Sequence, residues 1–138
     1  MKHKIFLLTL MLALVSTGAM AKLTKIGEDD EATFTQYVYN DTIRKKGSRV
    51  KMWNLKDFKT VQEDKPEDEN AGGKYLSMKM QREYDCKEER SRWLTHSMFS
   101  KNMAAGEHWS YVGDPGDWHP VIPDSMGEKL WNIACGKK

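Results

Sequence analysis

Apolar and aromatic positions recur at every second residue through most of this chain, and at every third or fourth residue only near its end. The run Phe34-Thr35-Gln36-Tyr37-Val38-Tyr39, closed by Asn40-Asp41, predicts a strand followed by a turn. Thr42 to Gly47 is a basic connector in which Gly47 can supply a positive φ. Ser48 to Phe58 alternates, with Val50, Met52 and Asn54 on one side and Trp53, Leu55 and Asp57 on the other, predicting a strand covered on parts of both faces. In the clearest strand, Lys74 to Cys86, one face carries Leu76, Met78, Met80 and Tyr84. The other carries Tyr75, Ser77, Lys79, Gln81 and Glu83, and Cys86 shares the apolar phase. After the charged turn Lys87-Glu88-Glu89, Arg90 to Ser100 and Glu107 to Val112 complete a meander of short antiparallel strands.

The period then changes. Gly113 to Pro123 holds three of the four prolines, which predicts an irregular crossing rather than a helix or a central strand. Ser125-Met126-Gly127-Glu128 fits a capping box, with the Glu128 side chain expected to reach back to the cap. Met126, Leu130, Ile133 and Ala134 then form a helical stripe, and Gly136 stops the helix after Cys135. The expected class is α+β: a twisted antiparallel sheet of about five to six strands with a C-terminal helix on one face.

Residues 1–21 read as an export signal: Lys2 and Lys4, an apolar run from Ile5 to Val15, and Ala19-Met20-Ala21 before the cleavage point. That run is too short for a spanning helix, so no integral membrane segment is expected. The remaining residues, 22–138, suit one domain. The signal holds two of the 22 basic residues and none of the 20 acidic ones, so the mature charges balance. Bulk attraction to nucleic acid, which needs a basic excess, is not expected. In an oxidising compartment the only two cysteines, Cys86 and Cys135, have a single possible pairing. That bridge closes a loop worth about 4 kcal/mol in the chain-entropy model and ties the helix to the apolar face of the strand carrying Cys86.

Chemistry is sparse. The acidic stretch Glu63 to Gly73 reads as a solvated loop whose spacing does not match a calcium loop. His96, His108 and His119 lack metal-ligand spacing, and no nucleophile elbow, phosphate loop or dinucleotide fingerprint is present, so no enzyme activity and no cofactor is expected. A hairpin turning near Glu88 would set His96 and Met98 opposite Met78 and Met80, a set of ligands suited to Cu(I), although methionine is more commonly flexible core filler.

The succession Tyr39-Asn40-Asp41-Thr42-Ile43-Arg44, Val50-Lys51-Met52-Trp53-Asn54-Leu55, Glu83-Tyr84-Asp85-Cys86 with Arg90 and Arg92, Trp118-His119-Pro120, Pro123, and Leu130-Trp131 with Cys135 resembles the bacterial surface-adhesin protein E family over nearly the whole mature chain. The resemblance implies a roughly six-stranded antiparallel sheet with a C-terminal helix fixed to its concave face by a disulfide. It also implies an adhesin that binds host extracellular-matrix and serum proteins such as vitronectin and laminin. The named adhesin is an outer-membrane lipoprotein. Here Lys22 follows Ala21 where a lipid-bearing cysteine would stand, which favours a periplasmic or secreted protein over a lipid-anchored one.

For a protein partner, the candidate contacts are Arg44, Lys45, Lys46, Arg49 and Lys51 in one segment and Lys79, Arg82, Lys87, Arg90 and Arg92 in another, with Tyr75 as an exposed aromatic anchor. Arg90 and Arg92 have a competing structural role, pairing with Glu83, Asp85 or Glu89 across their hairpin. The alternative partners are an envelope protein, a small ligand or copper.

Overall fold

The computed structural model describes residues 22–64 and 72–138. The predicted export signal and most of the acidic loop, with its calcium question, lie outside the described residues. The chain runs β1 (Leu23–Glu28), β2 (Phe34–Tyr39), a 3-10 turn (Asn40–Thr42), β3 (Arg44–Lys46), β4 (Arg49–Glu63), β5 (Lys74–Asp85), β6 (Arg90–Lys101), β7 (Ala105–Val112), β8 (His119–Pro120) and α1 (Met126–Cys135). The sheet order is β1-β2-β4-β5-β6-β7, with β3 paired to β4 and β8 to β6.

Eight strands replace the expected five to six. β1 escapes the alternation rule because it is an edge strand broken by a register shift between Lys25 and Gly27. β3 and β8 are too short to show a period, and each borrows its order from a longer neighbour. Gly47 does take a positive φ of 62°, and it turns the basic connector into the tight β3–β4 hairpin.

One face of the sheet carries the helix. Val38, Val50, Met52 and Tyr84 pack there against Leu130, Trp131 and Ala134, all buried. Each of the larger apolar side chains, such as Val38, Met52 and Leu130, contributes on the order of 2 kcal/mol by leaving water. Ser125 caps the helix, its hydroxyl accepting from the Glu128 amide at 3.2 Å. The Glu128 carboxylate reaches one residue further than a capping box requires and accepts from the Asp124 amide at 2.8 Å. Gly136, left-handed at φ 66°, ends the helix. The Cys86–Cys135 bridge, with Cα atoms 5.7 Å apart, and the Trp131 indole, donating to the Asp85 carbonyl at 3.1 Å, fix α1 to the end of β5.

Beyond the helix the sheet curls. β4 shifts register between Asp57 and Gln62, and extra residues of this kind bend and twist a strand. The far end of the β4–β5 hairpin therefore meets β7. Phe34, Phe58, Tyr75 and Trp109 form a chain of edge-to-face rings with centroids 5.7, 5.7 and 6.3 Å apart. The Tyr111 hydroxyl donates to Asp64 at 2.6 Å.

Candidate protein-binding surface

The β3–β4 hairpin pairs Arg44 with Lys51, Lys45 with Val50 and Lys46 with Arg49, so two neighbouring strand ends concentrate positive charge in one place. Arg44, Lys45, Lys46, Arg49 and Lys51 are all exposed and line an open groove of about 520 Å³ with Glu83 at its base. Arg44 spends its guanidinium on the carbonyls of Asp41 and Ile43, at 2.7 and 3.0 Å, which holds the 3-10 turn. Among the described residues the side chains of Lys45, Lys46 and Lys51 make no hydrogen bond or ion pair, and all three are exposed, so their charges face solvent.

A second cluster lies on the face opposite the helix. Arg92 donates through Nε and Nη2 to Glu83 at 3.2 and 2.9 Å, and Arg90 does the same to Asp85 at 3.2 and 3.1 Å. Arg49 adds a longer contact to Glu83 at 3.7 Å. The guanidinium groups of Arg49, Arg90 and Arg92 all lie over the Trp118 ring, 5.1, 4.7 and 4.5 Å from its centre. β8 supplies this geometry by pairing His119 with Ser91, which swings the preceding tryptophan onto the arginines. Burial works to raise the Asp85 pKa, but the Glu88 amide, the Arg90 side chain and the Lys87 amide outweigh it and hold the carboxyl below its ordinary value. Arg90 and Arg92 therefore have the structural partners that the hairpin register allowed. Trp118, assigned no binding role from the sequence, is the hub of the cluster.

The remaining candidates scatter. Lys79 is spread over the rings of Tyr39 and Trp53, at 4.5 and 5.3 Å, and Lys87 is exposed in the β5–β6 turn. Tyr75 is not an exposed anchor, because the curl of the sheet seats it between Phe58 and Trp109. Arg82 does not join the basic surface either. It shares the phase of Met80 and Tyr84, lies on the helix side, donates to the Ser91 hydroxyl at 3.1 Å and stacks on Trp93 at 4.6 Å.

The β5–β6 register places Met80 opposite His96 and Met78 opposite Met98, the arrangement on which the copper reading depended. Met80 and Met98 are buried in the sheet face, and His96 stacks on Tyr111 with ring centres 5.0 Å apart. Among the described residues, no three His, Cys, Asp or Glu side chains stand close enough together to hold a metal ion. No helix among them is long and apolar enough to cross a membrane.

Solved structures of Haemophilus influenzae protein E share this fold. Crystal form II superposes with a TM-score of 0.60 at 10% identity, covering 80% of this chain and 86% of that one. A second structure of the same protein gives 0.61 at 11% identity, covering 81% and 83%. Protein E from a non-typeable strain gives 0.52 at 12% identity, covering 83% and 82%. No curated protein matches the sequence. The family model for surface-adhesin protein E matches residues 23–136, which include every described strand and the helix. The chain belongs to the surface-adhesin protein E family.

Proposed function

We propose that this protein is an exported, non-enzymatic adhesin-type binding module, residues 1–21 being its export signal. Its β3–β4 hairpin engages acidic segments of a protein partner, host matrix or serum proteins such as vitronectin and laminin being the first to test. The observation that carries the reading is that, among the described residues, the Lys45, Lys46 and Lys51 side chains form no ion pair, beside an arginine cluster in which Arg90 and Arg92 are already paired with Asp85 and Glu83. Membership of an adhesin family supports the binding role. A cationic rim of this kind accelerates encounter with an acidic partner more than it deepens final affinity.

Protease digestion of intact native cells, with permeabilised cells as control, tests the exported location. Cleavage on intact cells supports the host-facing role. Protection until permeabilisation overturns it and redirects the search to envelope proteins. Binding of purified protein to immobilised vitronectin and laminin then tests the partner. Lys45→Glu with Lys46→Glu is expected to weaken capture at least about tenfold at low salt, and an unchanged signal removes the hairpin from the interface.

A further inference from the structure

The helix side of the sheet holds two cations that have no acid within ion-pair distance among the described residues. Lys56 and Arg82 border a small cavity of about 120 Å³ between the sheet and the first turn of α1. Among the described residues neither forms an ion pair. Their charged groups rest on aromatic faces instead: the Lys56 ammonium is 4.5 Å from the Phe34 ring centre, and the Arg82 guanidinium is 4.6 Å from that of Trp93. Burial, the charge of Arg82 and a weaker opposing pull from Asp29 leave the Lys56 pKa below its ordinary value. Asp29 is occupied elsewhere, accepting from Thr33 and from the Phe34 amide. Two partly desolvated positive charges side by side cost free energy that a bound negative charge would offset.

Two further observations point to a ligand. Gln36 and Asn54 line the same cavity and are fully buried, yet each has a polar atom left over. The Gln36 amide nitrogen donates to Asn54 at 3.1 Å and to the Leu55 carbonyl at 3.0 Å, leaving Gln36 Oε1 and Asn54 Nδ2 without partners. Arg82 Nε is buried and unpartnered as well. A native fold rarely leaves three such atoms idle around one space. Met126 and Gly127, the first two residues of the helix, complete the wall and bring the positive end of its dipole. The Glu128 carboxylate, the acid of that turn, is engaged by the Asp124 amide.

We propose that this cavity binds a small oxyanion carrying its own hydroxyl, such as hydrogen phosphate or a short hydroxycarboxylate. Lys56 and Arg82 supply the charge. The Arg82 Nε–H and the Asn54 amide donate to the anionic oxygens, while Gln36 Oε1 accepts from the hydroxyl. The site is separate from the basic hairpin, so its existence is independent of any adhesin role.

The test is amide-resolved NMR titration of the intact, disulfide-bonded protein with inorganic phosphate and, separately, glycolate, against sodium chloride at matched ionic strength. The expected result is a saturable shift with at least one probe, concentrated at Gly127 and at the Gln36 and Asn54 side-chain amides and weakened at least about tenfold in Lys56→Met. Lys25→Ala, an exposed lysine of β1 that borders neither this cavity nor the hairpin groove, should bind as the parent does. Should Lys56→Met fail to fold, Lys56→Gln serves the same comparison. Shifts that never saturate, that chloride reproduces, or that persist undiminished in the Lys56 variant overturn the proposal.

Discussion

The Arg90–Arg92 cluster on one face of the sheet and the Lys56–Arg82 pair on the other treat positive charge in opposite ways. On the face away from the helix, Arg90 and Arg92 meet buried carboxylates in two-point contacts, and Trp118 stacks beneath both. On the helix face, Lys56 and Arg82 have aromatic rings and a single serine hydroxyl, and buried amide atoms beside them are unsatisfied. A matched charge is structural: removing its partner destabilises the fold. An unmatched charge in a confined space is chemically available. The hairpin lysines are a third case, unmatched but solvated, so their contribution to folding is small and their contribution to encounter with a partner is larger.

The strongest way to break this contrast is to release the helix. Cys86→Ala with Cys135→Ala frees α1 from β5 and is expected to cost about 4 kcal/mol in denaturant unfolding, since the bridge closes a 49-residue separation. The helix face should loosen first, with faster amide exchange in α1 than in β5 and β6. Glu83→Ala attacks the other face. It leaves half-buried Arg92 without its carboxylate and should cost about 2 kcal/mol, an effect that the double variant with Arg92→Leu partly restores.

Acid sharpens the same distinction more gently. Because the Asp85 pKa is lowered in the folded state, its contribution is complete above the unfolded value of 3.8 and is lost as pH falls through the lower folded value. Stability curves of Asp85→Asn should thus converge on the parent below about pH 4, and parallel curves would show that Asp85 is not the linked group. The smallest effect belongs to Lys45→Ala, where the unfolding midpoint should move by less than about 0.5 kcal/mol.

Much of this architecture was legible along the chain because its causes are local. The helix announces itself by Ser125, its stripe and Gly136, each acting within a turn or two. The turn at Gly47 needs only a positive φ, and the disulfide needs only a cysteine count of two. The candidate site was less legible. Alternation already put Arg82 in phase with Met80 and Tyr84, and Lys56 two residues beyond Asn54, so their common face was implicit in the spacing. Reading charge as a sign of exposure hid it. Trp118 gave no comparable signal, since its place depends on a two-residue strand that has no period of its own.

Local pattern was thus sufficient for the class of fold, the span and caps of the helix, the bridge and the phases of β4 and β5, because each rests on interactions between near neighbours or on a pairing with no alternative. Only the folded chain decides which phase becomes interior. The register shift after Asp57 curls the β4–β5 hairpin toward β7 and withdraws Tyr75 from solvent, while the docked helix encloses Lys56 and Arg82. Curl and docking come from long-range packing of surfaces far apart in sequence, and no window of the chain contains both partners.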